Sequence, residues 1–246
     1  MGALAGIAIV GAVYAWRARS IPRRRRLAFA AGLALLVGAQ FLDDARLQWH
    51  MAQHLAIGDL APLLLLAGLT RRAVAPLLAL RPVRALRVLA HPGVALPLWA
   101  LDLALWHVPR LYDAAEAHPA LHGLEHLSLL ACGLAMWAPV VELLPAPAWF
   151  GAGLRLGYVL AVRAAMMALG NVFLFSGSAL WYGSLADQRL AGGLMMLEGT
   201  TVTLGAFAWF FLRLLRDSEA RERLLEAGES PRRAERAVRY GRATSL

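Results

Sequence analysis

The 246-residue chain is 59% hydrophobic and 17% charged, with a formal net charge of +9 and a mean hydropathy of +0.55. It is too oily for a soluble domain of ordinary composition, and the positive charge is explained by membrane topology and anionic headgroups rather than by nucleic acid. With Cys132 as its one cysteine, an intrachain disulfide, a CxxC motif and a thiol relay within the chain are all excluded.

Seven apolar stretches predict membrane helices, at residues 2–16, 27–42, 50–69, 93–107, 120–142, 153–178 and 192–215. The expected fold is an all-α polytopic membrane bundle over residues 1–215, followed by a charged tail over 216–246. A span needs about 20 apolar residues to cross roughly 30 Å of hydrocarbon, and the first stretch is short by that measure. Its positive charges follow the apolar run, the reverse of a signal peptide. In the third stretch Pro62 removes the hydrogen bond to the Gly58 carbonyl, which predicts a kink beside Asp59. Residues 70–93 mix arginines with Leu, Val and Ala and read as an amphipathic segment in the headgroup layer. The tail, broken by Gly228 and Pro231, reads as a solvated helix fragment followed by disorder.

Arginine placement sets the orientation. All 25 basic residues are Arg, and 21 of them fall on one side if the helices alternate. Only Arg46, Arg110 and Arg189 fall on the other, and Arg163 lies inside a helix. By the positive-inside rule the Arg-rich side is cytoplasmic, with the N-terminus out and the C-terminus in. Trp49, Trp106 and Trp181 at the outer ends, and Trp16, Trp149 and Trp209 at the inner ones, fit interfacial belts.

Six of the seven histidines then fall on the outer side. The third helix opens with "WHMAQH", which sets His50 and His54 one turn apart on one face, with Gln53 beside them. The string "LWHVPRLYDAAEAHP" puts His107, Tyr112, Asp113, Glu116 and His118 in a short outer loop. "LHGLEHLS" again sets His122 and His126 one turn apart, flanked by Glu125. The last outer loop supplies Asp187 and Gln188, and the seventh helix carries Met195, Met196 and Glu198. Neutral imidazole is the commonest metal ligand, and its second nitrogen usually donates to a carboxylate or carbonyl. The candidate ligands are therefore His50, His54, His122 and His126, with His107, His118 and Met195 as further or exchange ligands. Asp113, Glu125 and Asp187 are the orienting acids. Imidazole suits copper and zinc, and the thioethers of Met51, Met195 and Met196 tilt the choice toward copper. His91, alone on the other side, is read as structural, and Cys132 as a small buried residue.

Asp59, Asp102, Arg163 and Glu198 lie inside the spans. Such groups face a bundle interior, where they pair or line a polar path. Arg163 is expected to pair with Asp59, Asp102 or Glu198.

Three strings, "HMAQHLAIGDLAPLLLLAGLT", "LWHVPRLYDAAEAHPALHGLEHLSLL" and "DQRLAGGLMM", resemble those of the CtaG-type cytochrome c oxidase assembly factor family of bacterial membrane proteins. The likeness runs from about Trp49 to Thr203. It implies a multi-helix inner-membrane protein needed to produce active haem–copper oxidase, with delivery of copper to an oxidase subunit as a suggested role. The positions it marks are His50, Gln53, His54, Asp59, Pro62, His107, Tyr112, Asp113, His118, His122, Glu125, His126, Asp187 and Met195. The seventh helix departs from the pattern: many relatives read Met-Trp-x-Pro where this chain has Met195, Met196, Leu197 and Glu198.

Other classes remain open on sequence. Paired histidines on neighbouring helices could ligate haem, as in a b-type cytochrome. "HGLEH" fits the H-x-x-E-H metalloprotease pattern, with Glu125 as catalytic acid–base and Glu198 as a third ligand. Intramembrane acids could line the path of a copper importer. A retinal protein is excluded, because it needs a lysine for its Schiff base.

Overall fold

The structure is a computed structural model that describes residues 2–18, 21–43, 45–80, 86–141, 143, 147, 149–181 and 183–239. Residue 142, which closes the fifth expected span, lies outside the described residues, as do residues 81–85 of the inner segment and 240–246 of the tail. The fold is all-helical, with no strand among the described residues. Its helices are α1 (Gly2–Arg17), α2 (Arg23–Ala39), α3 (Leu47–Gly68), α4 (Arg71–Ala79), α5 (Pro92–Trp106), α6 (Pro109–Ala117), α7 (Pro119–Val141), α8 (Ala152–Phe175), α9 (Leu185–Glu226) and α10 (Pro231–Arg239). A short 3-10 turn, Leu86–Ala90, precedes α5.

Four helices, α3, α7, α8 and α9, are long and apolar enough to cross a membrane, while α1 and α5 are shorter apolar helices. The 22 residues of α3 rise about 33 Å, enough for the hydrocarbon layer. The surface is inverted relative to a soluble protein: Leu101, Leu127, Leu197, Leu204 and Phe207 are all more than half exposed. The buried groups include charged ones, Asp59, Glu125 and Arg163.

Helix α3 is the axis of the bundle. It packs against α2, α7 and α9, with α5 set on α7, α8 on α9, and α1 outermost on α2. Glycines allow the closest approaches. A Cβ on Gly133 of α7 would stand 2.1 Å from the Gly58 carbonyl oxygen of α3. One on Gly192 of α9 would meet the Gly170 carbonyl of α8 at 2.8 Å. At the end away from the histidines, Arg25 of α2 donates to the Ala67 carbonyl at 3.2 Å, satisfying a terminal carbonyl of α3. There too, Tyr14 stacks on Phe29 with ring centroids 3.7 Å apart and donates to the Gly68 carbonyl at 3.0 Å.

Several expectations are refined. The irregularity foreseen at Pro62 takes the form of a π-helical segment, Ala56–Leu60. Proline cannot supply the N–H that Gly58 needs, and the ladder locally widens to accommodate the loss. The connection after α5, expected to be an open loop, is instead the helix α6, with Pro109 in its first turn. The last apolar helix starts at Leu185 rather than 192 and runs on to Glu226. Its start is set by the Ser184 hydroxyl, which accepts from the Asp187 N–H at 3.1 Å. The charged tail thus begins as a continuation of α9 and goes on as α10. Trp106 and Trp181 do not face lipid: they are 4% and 6% exposed. The Trp106 indole donates to Ser128 Oγ and Asp102, and Trp181 stacks on Phe173.

Candidate metal centre

Imidazoles from separate strings converge at one end of the bundle. His50 and His54 lie in the first turns of α3, and their Nε2 atoms are 2.7 Å apart. His122 and His126 lie in the first turns of α7, with Nε2 atoms 3.1 Å apart. The two pairs face each other. The His50 ring lies nearly parallel to that of His122, with centroids 5.2 Å apart, and the His54 and His126 centroids are 5.3 Å apart. His50 and His54 are 0% and 6% exposed, whereas His122 and His126 are half-buried, so the cluster is most open on the α7 side.

Two overlapping groups have the reach of a metal site. One nitrogen each from His50, His122 and His126 lie within 4.8 Å of one another, and so do ligand atoms of His50, His54 and Glu125. Nitrogens sharing a tetrahedral ion at 2.0–2.1 Å stand about 3.3 Å apart. Side-chain shifts of an ångström or so therefore suffice to close either group around an ion.

Two acids flank the rings. Glu116 Oε1 lies 3.0 Å from His50 Nδ1 but makes no hydrogen bond, so its negative charge stands beside the ring. Glu125, 0% exposed, lies 3.5 Å from His54 Nε2, and neither of its oxygens has a hydrogen-bond partner. A fully buried carboxylate left in that state calls for a cation or a proton.

The remaining candidates separate clearly. His107 caps the end of α5, its Nδ1 bound to the Leu103 carbonyl at 2.8 Å, and its ring is 6.2 Å from that of His54. Met195 is 1% exposed and lines a cavity with His54 and His107. His118 is exposed at the end of α6; its carbonyl accepts from the His122 N–H at 3.0 Å, but no described side-chain contact brings its ring to the cluster. Asp113 is also exposed, one position from the buried Tyr112. The acid on His50 is therefore Glu116 and not Asp113. In α6 the inward face is Tyr112, Ala115 and Glu116, at the spacing of one helix face, and the apolar period of "PRLYDAAEA" carried that signal. Asp187 closes the N-terminal cap of α9 with Ser184. Gln188, 0% exposed, accepts from the Leu180 N–H and donates to the Phe173 carbonyl. Gln53 points away from the rings and donates to the Ala39 carbonyl at 2.7 Å. His91 caps α5, accepting from the Gly93 N–H.

Deeper in the bundle, Arg163 of α8 bridges Asp59 of α3 and Glu198 of α9. The Trp137 indole of α7 donates to the other Asp59 oxygen at 2.8 Å. Asp102 is not part of this bridge and pairs with Trp106. Glu198 on Arg163 is engaged away from His122 and His126, so the H-x-x-E-H pattern lacks the third ligand anticipated for it.

The family model described as cytochrome c oxidase caa3 assembly factor (Caa3_CtaG) matches residues 8–217. No curated protein and no solved structure matches.

Proposed function

The chain belongs to the cytochrome c oxidase caa3 assembly factor family, and on that premise we propose that it binds copper at the outer histidine cluster and presents it to a nascent oxidase subunit. The observation that carries this reading is the meeting of His50, His54, His122 and His126 from two helices at one rim. Imidazoles at a half-open rim can take up an ion and release it to a partner whose ligands bind more tightly. In this reading Glu116 and Glu125 orient the rings and supply negative charge. Histidine donors suit copper, and copper enters haem–copper oxidases from the extracytoplasmic side.

The placement follows the same logic. We take seven apolar helices, α1, α2, α3, α5, α7, α8 and α9, as crossing a bacterial plasma membrane, with the N-terminus and the histidine rim outside. The Arg-rich ends then lie among cytoplasmic lipid headgroups. Arg25 at the foot of α3, opposite the rim, supports this polarity. The role is one of assembly rather than catalysis: Glu198 is committed to Arg163, which weakens the metalloprotease alternative. Haem is the weaker cofactor, because the rings crowd at 4.2–6.2 Å and the adjoining cavity of about 30 Å³ has no room for a macrocycle. Transport across the membrane is distinguished from presentation by copper uptake into liposomes.

The test is complementation in cells lacking the chain. A variant with all four histidines changed to Gln should reach the membrane yet leave the oxidase copper-poor and inactive. Full oxidase activity and copper content with that variant would overturn the proposal.

A further inference from the structure

Immediately inward of the rim is a cavity of about 30 Å³, lined among others by Met51, His54, His107, Met166 and Met195. We propose that this cavity is a second, inner site for a soft monovalent cation, cuprous copper, held by His54 Nδ1, His107 Nε2 and the thioethers of Met51 and Met195, with Met166 beside them. The inference deepens the copper reading above and rests on it for the identity of the ion. The donor set stands on its own observations.

The first observation is a pair of buried nitrogens without partners. His107 Nδ1 meets a carbonyl at 2.8 Å. A carbonyl only accepts, so Nδ1 carries the proton and Nε2 carries the lone pair. That Nε2 is buried and has no hydrogen-bond partner, and the same is true of His54 Nδ1. The two residues are 7% and 6% exposed, and both line the cavity. A ligating histidine whose other nitrogen is fixed by a carbonyl is the usual arrangement at metal sites.

The second observation is the company these nitrogens keep. Met51 and Met195 are each 1% exposed and Met166 is 5% exposed, so their sulfurs are out of reach of solvent. Imidazole with thioether selects Cu(I) over harder ions. The charge balance agrees. The one acid on the cavity wall, Asp59, is already engaged by Arg163 and Trp137. Neutral ligands in a buried space tolerate a single charge far better than a double one, because the desolvation cost grows with the square of the charge.

His54 belongs to both regions. Its Nε2 faces His50 and Glu125, its Nδ1 has no hydrogen-bond partner, and the residue lines the cavity. With His54 turned to the inner ion, His50, His122 and His126 still form a group of metal reach. The ring can thus hold an ion on either side of itself, which makes it a pivot between an imidazole rim and a sulfur-lined interior.

The experiment uses the full chain in lipid nanodiscs, titrated with Cu(I) against a competing chelator under reductant, with X-ray absorption at the copper edge. Wild type should bind two equivalents and show sulfur in the copper shell. Met51→Leu with Met195→Leu should lose the sulfur signal and one equivalent, while Cu(II) bound at the rim without reductant is unchanged. Should that pair fold poorly, His107→Gln should lower Cu(I) affinity at least tenfold with rim binding intact. Absence of sulfur from the wild-type shell, or unchanged Cu(I) binding in these variants, overturns the inner site, and the cavity then holds water only. Unchanged binding of copper at the rim after His50→Gln, His122→Gln and His126→Gln overturns the rim reading instead, so the two failures are told apart.

Discussion

Replacing Arg163 by Leu should destabilise the bundle more than any other single change to the buried charges. Arg163 is 1% exposed and Asp59 3%, and the guanidinium is shared between Asp59 and Glu198, the latter at 3.1 and 3.2 Å. Its removal leaves two carboxylates facing each other without a cation. Breaking a buried ion pair in this way costs about 3–5 kcal/mol, a drop of roughly two to three and a half orders of magnitude in the folded-to-unfolded ratio. Asp59→Asn should cost less, because Arg163 keeps Glu198 and the Trp137 indole keeps an acceptor. Glu198→Gln should cost least, because it leaves one cation with one anion. Reversible unfolding in mixed micelles, followed by circular dichroism, measures all three. Arg163→Leu combined with Asp59→Asn and Glu198→Gln should recover most of the loss, since no buried charge is then unpaired. A cost for Arg163→Leu below about 1 kcal/mol, the level of an exposed pair, or no recovery in the triple variant, would refute this reading of the charge bridge.

Further outcomes follow from other parts of the structure. Gly133→Ala puts a methyl 2.1 Å from the Gly58 carbonyl oxygen and should cost at least about 1–3 kcal/mol by overpacking. Gly193→Ala, with nothing within 4 Å, should instead be neutral or stabilising by up to about 1 kcal/mol in the same unfolding assay. Glu116→Gln should weaken copper binding at the rim about 10–100-fold, the usual effect of losing a group that orients a ligand. Asp113→Asn, at an exposed position, should leave chelator competition unchanged. In a Cys132→Ser background, Ala114→Cys should react with a membrane-impermeant maleimide in intact cells, and Ala73→Cys only after lysis. The reverse pattern would invert the proposed topology.

Much of the fold is written in the order of apolar and charged residues. Each of the seven apolar stretches corresponds to a helix, because a run rich in Leu, Ala and Val has few other ways to satisfy its backbone in an apolar setting. The i,i+4 histidine pairs were legible for the same reason: the 3.6-residue period alone sets His50 above His54 and His122 above His126. Pro62 announced the irregularity in α3, though not that it would become a π segment. What stayed hidden depends on packing between helices. The choice of Glu116 over Asp113 required the connection after α5 to be recognised as a helix. The burial of Trp106 and Trp181 required knowing which neighbours cover them. The cavity beside His54 and His107 has no local signature, because its walls come from α3, α5, α7, α8 and α9.

The measurement that bears most directly on the copper proposal is elemental analysis of the purified chain after copper loading and chelator challenge, with an absorption spectrum of the same sample. Wild type should retain copper without a Soret band. The variant lacking His50, His54, His122 and His126 should lose most of that copper while keeping its helix content. Wild type that retains no copper, or a four-histidine variant that retains as much as wild type, would contradict the account.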